Sequence, residues 1–456
     1  MENKIRKEEI LQWIDGHKES FLQVSDFIWN HPELPLEEFQ ASKKLVALLE
    51  EHGFQVETGL AGMPTSFVAT KGQGRPVIGF SAEYDALPGL SQNPNSVEKD
   101  PLVEGGPGHG CGHNLLAVGG IMSAVALSDA LSKSGQEGTV KVFGSPAEEL
   151  CVGKVYLAKE GLFKGLDLVL DWHPMTINRP GNSRCSSYFN VKYHFKGKTA
   201  HGNAPWHGVS ALDSALLMGQ ALEYLREHIP PGIPDGESTL NYSFPDVGGG
   251  FPGVVPDRAT IWCIGRLSKA EDAQSVLERV DQCANGIAMA TGTQVEREFI
   301  TATHEKISNE TIAHVFHKNM KDIGVLKFTE EEQQVAKTIQ KGMGLKEVGF
   351  VEDIEEVAER SMPVTDVAEY SWHAPTETLM LNLAPLGIGW HNWIVTKFAG
   401  NEIGQRVVVT ASKILAATAL DFLQDPALIE KAKAELQEKL DGRVYETLIP
   451  DGVSLK

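Results

Sequence analysis

Cysteine is scarce: Cys111, Cys151, Cys185, Cys263 and Cys283 are an odd, scattered set in a chain of 456 residues. That argues against a disulfide framework and predicts reduced thiols and a cytoplasmic address. Positive charge is in deficit, with 41 Lys and Arg against 61 Asp and Glu and a formal net charge of −20. Such a balance argues against nucleic acid or an anionic membrane surface as the main partner. The N-terminus, Met-Glu-Asn-Lys-Ile-Arg-Lys-Glu-Glu-Ile, is charged and helical in character and lacks the apolar core of a signal peptide. No stretch approaches a membrane-spanning apolar run. Internal repeats and low-complexity tracts are missing too. What is left is the composition of an ordinary globular protein, long enough for two domains with separate cores.

Against this background residues 105–120, Gly-Gly-Pro-Gly-His-Gly-Cys-Gly-His-Asn-Leu-Leu-Ala-Val-Gly-Gly, stand out. His109, Cys111 and His113 alternate with glycines, so in an extended or looped segment they share a face. The glycines oppose a helix and let the backbone approach whatever the side chains hold. A thiolate with imidazoles suits a transition metal. The plainer alternative is a glycine-rich turn with one buried cysteine, and further ligand types elsewhere must decide between the two.

They are found at the ends of strands. Residues 76–82, 139–144 and 166–171 read as buried apolar strands separated by helices at 115–133 and 152–160, which predicts a mostly parallel sheet covered on both faces. Ligands bind beyond the carboxyl ends of such strands. The three strands lead into Asp85, into Glu148-Glu149, and into His173. The pattern changes near 186. Strict alternation over 188–196, a helix at 209–228, strands at 238–245 and 258–267, a helix at 269–290 and a strand at 293–301 give the order β-α-β-β-α-β, the ferredoxin-like split unit. We therefore expect an α/β catalytic domain from 1–185 and 303–456, with 186–302 inserted as a separate α+β domain. Residues 303–360 are rich in charge and read as a solvated helical face. The C-terminal part adds Thr365-Asp366, Trp372-His373 and Trp390-His391-Asn392-Trp393.

Placed in order, these motifs carry a resemblance. His31-Pro32-Glu33-Leu34, Glu83-Tyr84-Asp85-Ala86-Leu87-Pro88-Gly89-Leu90-Ser91-Gln92, Gly108-His109-Gly110-Cys111-Gly112-His113-Asn114, Pro146-Ala147-Glu148-Glu149, Trp172-His173-Pro174, Gly197-Lys198-Thr199-Ala200-His201, Val254-Val255-Pro256-Asp257, Thr365-Asp366-Val367 and Trp390-His391-Asn392-Trp393 span most of the chain. The sequence resembles the dinuclear metallopeptidases and amidohydrolases of the aminoacylase and carboxypeptidase G type, within the branch of auxin-conjugate amidohydrolases and aminobenzoyl-glutamate hydrolases. The resemblance implies a catalytic α/β domain with an inserted lid and dimerisation domain, and hence a homodimer through 186–302. It implies two divalent ions per chain, held by Cys111, His113, Glu149, His173 and His391, with Cys111 a candidate bridge. Thiolate favours zinc or cobalt, while carboxylate and imidazole admit manganese.

Further roles follow from the same resemblance. Glu148 is the general base and acid, Asp85 and His109 orient ligands, and His201 reaches the active site of the other subunit to stabilise the oxyanion. The sequence departs from many relatives at Pro252-Gly253, where they have Pro-Asn, which weakens any carry-over of substrate contacts. Arg258 and Arg266 are candidates for a substrate carboxylate, to which arginine is suited, although solvent exposure is the default for both. Trp206, Trp372, Trp390 and Trp393 could line an acyl pocket or simply pack. His373 is read as structural, while Asp366, beside the capping-type Thr365, either fixes a turn or touches the chemistry.

The expected activity is metal-dependent hydrolysis of an N-acyl or N-aroyl amino acid (p-aminobenzoyl-glutamate-like) or a small dipeptide, with a small molecule as substrate. Hydrolytic deamination of an aromatic amine would use the same site. An inactive binding relative would be expected to lack Glu148 or several ligands, and all are present.

Overall fold

The computed structural model describes residues 5–232 and 238–455. The charged N-terminus at 1–4, read as helical in character, lies outside the described residues, as do 233–237 and 456 within the expected domains. The chain divides into two compact units: 1–183 with 307–360 and 370–445, and 184–306 with 361–369 and 446–456. Residues 361–369 and 446–456, assigned from the sequence to the catalytic domain, thus cluster with the second unit.

The first unit is built on a six-stranded sheet. Its strands are β1 (Gln55–Thr58), β2 (Phe67–Gln73), β3 (Val77–Glu83), β4 (Gly138–Ser145), β5 (Leu168–Met175) and β10 (Thr376–Asn382), in the spatial order β1-β2-β4-β3-β5-β10. Strands β4, β3, β5 and β10 run parallel, and β1 and β2 complete one side antiparallel. The parallel strands are largely buried on both faces, which suits apolar segments such as Val77-Ile78-Gly79-Phe80 and Leu168-Val169-Leu170.

Helices α1 (Lys7–Asn30), α2 (Phe39–Glu51), α3 (His113–Ser134) and α4 (Gly153–Lys159) belong to this unit. So do α7 (Glu310–Ile323), α8 (Glu330–Gly342), α9 (Trp393–Ala399), α10 (Glu402–Gln424) and α11 (Pro426–Leu440). The charged segment 303–360 supplies the amphipathic α7 and α8, whose apolar sides (Ile312, Phe316, Met320, Ala336, Ile339) join the core.

Helices α3 and α10 are long and apolar enough to cross a membrane by length and composition, which qualifies the reading from sequence. However, 83% and 72% of their apolar windows are buried inside the fold, as expected of core helices. Helix α3 lies directly on the sheet: a Cβ added at Gly120 would come 2.2 Å from the Ser81 carbonyl oxygen of β3.

The second unit holds an antiparallel sheet of β6 (Ser187–Lys196), β7 (Thr239–Asp246), β8 (Arg258–Leu267) and β9 (Gln294–Thr303), with α5 (Ala211–Arg226) and α6 (Ala270–Thr291). The spatial order is β9-β6-β8-β7, the arrangement expected of a split β-α-β unit. Alternation on β6 puts Phe189, Val191, Tyr193 and Phe195 into the core with Ile261 and Cys263 of β8 and Met218, Leu222 and Val280 of the helices.

Candidate metal centre

The parallel strands carry the chemistry-bearing residues to one end of the sheet. Glu83 closes β3, Asp85 lies two residues beyond its end, and both carboxylates approach the His113 ring. Beyond β4 the chain makes a single 3₁₀ turn, Glu148–Leu150. It is bracketed by two non-glycine residues in the left-handed region, Ala147 (φ +55°) and Cys151 (φ +54°). His173 lies near the end of β5. His391, in the loop before α9, also has a left-handed backbone (φ +60°), and its N–H donates to the Gly110 carbonyl at 3.1 Å. Left-handed non-glycine residues cost about 1–3 kcal/mol each and cluster at functional sites.

The glycine loop allows this convergence. Gly112, at φ +81°, turns the chain into α3 so that His113 is the first helical residue. A Cβ at Gly110 would strike the Leu90 side chain at 2.3 Å.

Three overlapping groups of donor atoms result: Cys111 with His113 and His173; Cys111 with Glu149 and His391; and Glu83 with His113 and Glu148. Within each group the donor atoms lie within 4.8 Å of one another. Cys111 Sγ is 3.3 Å from His173 Nε2, and His391 Nε2 is 3.0 Å from Glu149 Oε2. His113 Nε2 lies 3.5 Å from Glu83 and 3.7 Å from Glu148.

Asp85 ties the cluster together. One oxygen takes His113 Nδ1 at 2.9 Å and the other takes the Glu149 N–H at 2.9 Å. That bond orients the His113 ring with Nε2 facing the donors. Burial alone would raise the Asp85 pKa, but His113, the Glu149 N–H and Lys154 together hold the carboxyl below its usual range.

The donor set fits divalent cations. His113 Nε2 and Glu149 Oε1 are buried and make no hydrogen bond, and buried polar atoms are rarely left so. Glu83, Asp85, Glu148 and Glu149 stand close together, and Lys154, completely buried, supplies one positive charge, 2.6 Å from Glu83. Burial pushes the Cys111 thiol well above its usual range, and Glu149 adds to the effect. Burial also pulls His173 down to about 4, leaving it neutral, as a ligand must be.

His109, two residues before Cys111, is buried. Its Nε2 bonds the Ile28 carbonyl at 3.2 Å, and burial lowers its pKa to about 3. That bond ties the glycine loop to α1. His201, Arg258 and Arg266 belong to the second unit. His201 forms an isolated bridge with Val254, and its Nδ1 accepts from the Asn203 N–H at 3.1 Å. Arg258 pairs with Asp246 at 3.0 Å. Arg266 reaches Asn241 at 3.4 Å and lies over the Tyr188 ring. Both arginines thus have partners within their own unit.

Among the tryptophans, Trp390 lies against His173, with ring centroids 6.1 Å apart, whereas Trp372 packs with Ile307, Leu436 and Leu440. His373 packs against Tyr445 with the rings tilted by 47°, and Thr365 Oγ1 accepts the Val367 N–H in a local turn. Glu83 and Lys154 were missed as site residues. The spacing of two residues from Asp85 could have found Glu83. Lys154 gives no such signal, because a lysine inside a short helix reads as solvated.

The peptidase dimerisation domain matches residues 185–291. One of the subunits of the p-aminobenzoyl-glutamate hydrolase of Escherichia coli K12 is 30% identical over 98% of this chain and 99% of its own length. The chain belongs to the M20 peptidase family. Another M20 relative, the Xaa-Arg dipeptidase of Mus musculus, is 29% identical over 96% of this chain and 94% of its own length. Among solved structures, the aminobenzoyl-glutamate utilization protein of Klebsiella pneumoniae aligns with a TM-score of 0.59 at 16% identity, over 90% of this chain and 98% of that one. A dinuclear metal-binding M20 peptidase of Bacillus subtilis aligns with a TM-score of 0.56 at 19% identity, over 90% and 99%. These two likenesses establish the M20 fold. As a member of the family the chain is a hydrolase of amide or peptide bonds.

Proposed function

We propose that the chain is a dinuclear metal-dependent amidohydrolase that releases an amino acid from an N-acyl or N-aroyl conjugate of the p-aminobenzoyl-glutamate kind, or from a small dipeptide. The observation that carries this reading is that Cys111 is shared by two donor groups, one completed by His113 and His173 and the other by Glu149 and His391. Cys111 is thereby suited to bridge. The relatives named for p-aminobenzoyl-glutamate and for dipeptides support the substrate class.

Divalent ions held there, zinc or manganese, with cobalt also suited to the thiolate, would lower the pKa of a nucleophilic water and polarise the scissile carbonyl. Glu148 is next to the ligand Glu149 in sequence, with a carboxylate oxygen 3.7 Å from His113 Nε2. It takes the proton as the water oxygen bonds to the carbonyl carbon, then delivers it to the amine nitrogen as the C–N bond breaks. Asp85 holds His113 and the turn of Glu149 in register throughout. His201, by resemblance, donates to the oxygen that becomes negative. His201→Ala is expected to slow turnover by about 10²-fold or more with metal content unchanged; a loss of metal would remove this role. The inserted domain makes a homodimer the expected assembly.

The deciding experiment is product analysis on a panel of N-acyl amino acids, dipeptides and aromatic amines, using metal-stripped protein with zinc, manganese or cobalt restored. Metal-dependent release of an amino acid is expected. Ammonia alone, or no product with metal bound, would overturn the substrate class.

A further inference from the structure

Glu38 has a buried carboxylate that the reaction above does not use. It occupies the N-cap position of α2 but does not cap that helix. Glu33 does so instead, taking the Gln40 and Ala41 N–H groups at 2.9 Å each. Glu38 is turned inward and fully buried, a position that costs free energy unless its partners repay it. Oε1 accepts from the Leu36 N–H at 2.8 Å and from the Ala147 N–H at 2.9 Å, and Oε2 accepts from the Thr65 hydroxyl at 2.9 Å.

Ala147 is the left-handed residue that opens the turn carrying Glu148. Asp85 holds the N–H of Glu149 on the other side. Two buried carboxylates from distant segments thus grip the backbone immediately before and after Glu148. A change in the Ala147 dihedrals would swing Glu148 directly, because no intervening residue could absorb it. We propose that Glu38 is a positioning residue for the amide hydrolysis: its bond to the Ala147 N–H holds the strained turn that aims Glu148. The inference rests on the reading of Glu148 as the acid and base.

Glutamine at 38 keeps a carbonyl acceptor for Ala147 and can donate to the Thr65 hydroxyl, whereas alanine keeps neither. Aspartate is one methylene short of spanning from α2 to Ala147 and Thr65. The test uses metal-loaded full-length protein and begins with hydrogen exchange of the peptide covering 146–152. Glu38→Ala and Glu38→Asp should accelerate its exchange, while Glu38→Gln should leave it near the parent rate.

With p-aminobenzoyl-glutamate as probe, Glu38→Ala and Glu38→Asp should lower kcat by about 10- to 100-fold, the scale of a small misplacement of a reacting group. KM and bound metal should stay within about 3-fold of the parent, and Glu38→Gln should restore kcat to a similar margin. If Glu38→Ala does not fold, Glu38→Asp decides. Unchanged exchange and kcat in Glu38→Asp, or a Glu38→Gln variant as impaired as alanine, would overturn the proposal. Glu148→Gln is run beside them. If it remains active, the reading of Glu148 fails; if it is inactive while Glu38→Asp is normal, only the clamp fails.

Discussion

At the scale of single residues, the site is a concentration of negative and soft donors, most of them buried, with His391 at its exposed side. Cys111 belongs to two donor groups and His391 to one. Cys111→Ala should therefore lower bound metal per chain more than His391→Ala does, as read by elemental analysis of dialysed protein; equal stoichiometry in all three proteins would contradict a shared thiolate. His391 is the more exposed of the two candidate ligands, with a side chain 55% exposed, so its replacement is expected to open the site without collapsing it.

Glu38 gives a pH prediction. Burial, with help from Asp85, raises its pKa from 4.5 to about 7. Between those values the unfolded chain has released a proton that the folded chain still holds. Stability therefore falls as pH rises from about 4.5 to 7, by about 3 kcal/mol at most. Glu38→Gln removes this contribution, so its unfolding midpoint should decline less than the parent's between pH 5 and 8; parallel curves would contradict the buried titration.

At the scale of elements, α3 couples the core to the site. It is buried on nearly all sides, it starts at His113, and its glycines allow direct contact with β3 and with Trp172. Gly120→Ala would press a methyl into the Ser81 carbonyl. It is expected to destabilise the first unit by about 1–3 kcal/mol, seen as a lower urea midpoint, and to lower metal affinity because His113 moves with the helix. The turn at 147–151 was not legible from sequence, since Ala147 and Cys151 are not residues that announce a left-handed backbone. Asp85 and Glu38 hold that turn from segments about 60 and 110 positions earlier, beyond the reach of local propensity.

At the scale of the whole molecule, the second unit exposes apolar side chains on α5. Leu217 and Tyr224, seven residues apart on α5, share a helical stripe, and Tyr224 is 68% exposed. With the dimerisation domain matched over 185–291, light scattering should give the mass of a dimer, and Tyr224→Glu should shift it toward the monomer. An unchanged mass would place the contact elsewhere.

The sequence alone determined the alternation of strands and helices, the split β-α-β-β-α-β unit, and the residue types assembled at the strand ends. Each of these is written in short-range periodicity or in a compact motif such as Gly-His-Gly-Cys-Gly-His. Tertiary structure alone decided that Glu83 and Lys154 enter the cluster, that His109 faces Ile28, and that Glu38 serves a turn more than a hundred residues away. A lone glutamate or lysine looks the same in sequence whether it is solvated or buried. Only long-range packing sets which buried N–H or carboxylate it must satisfy.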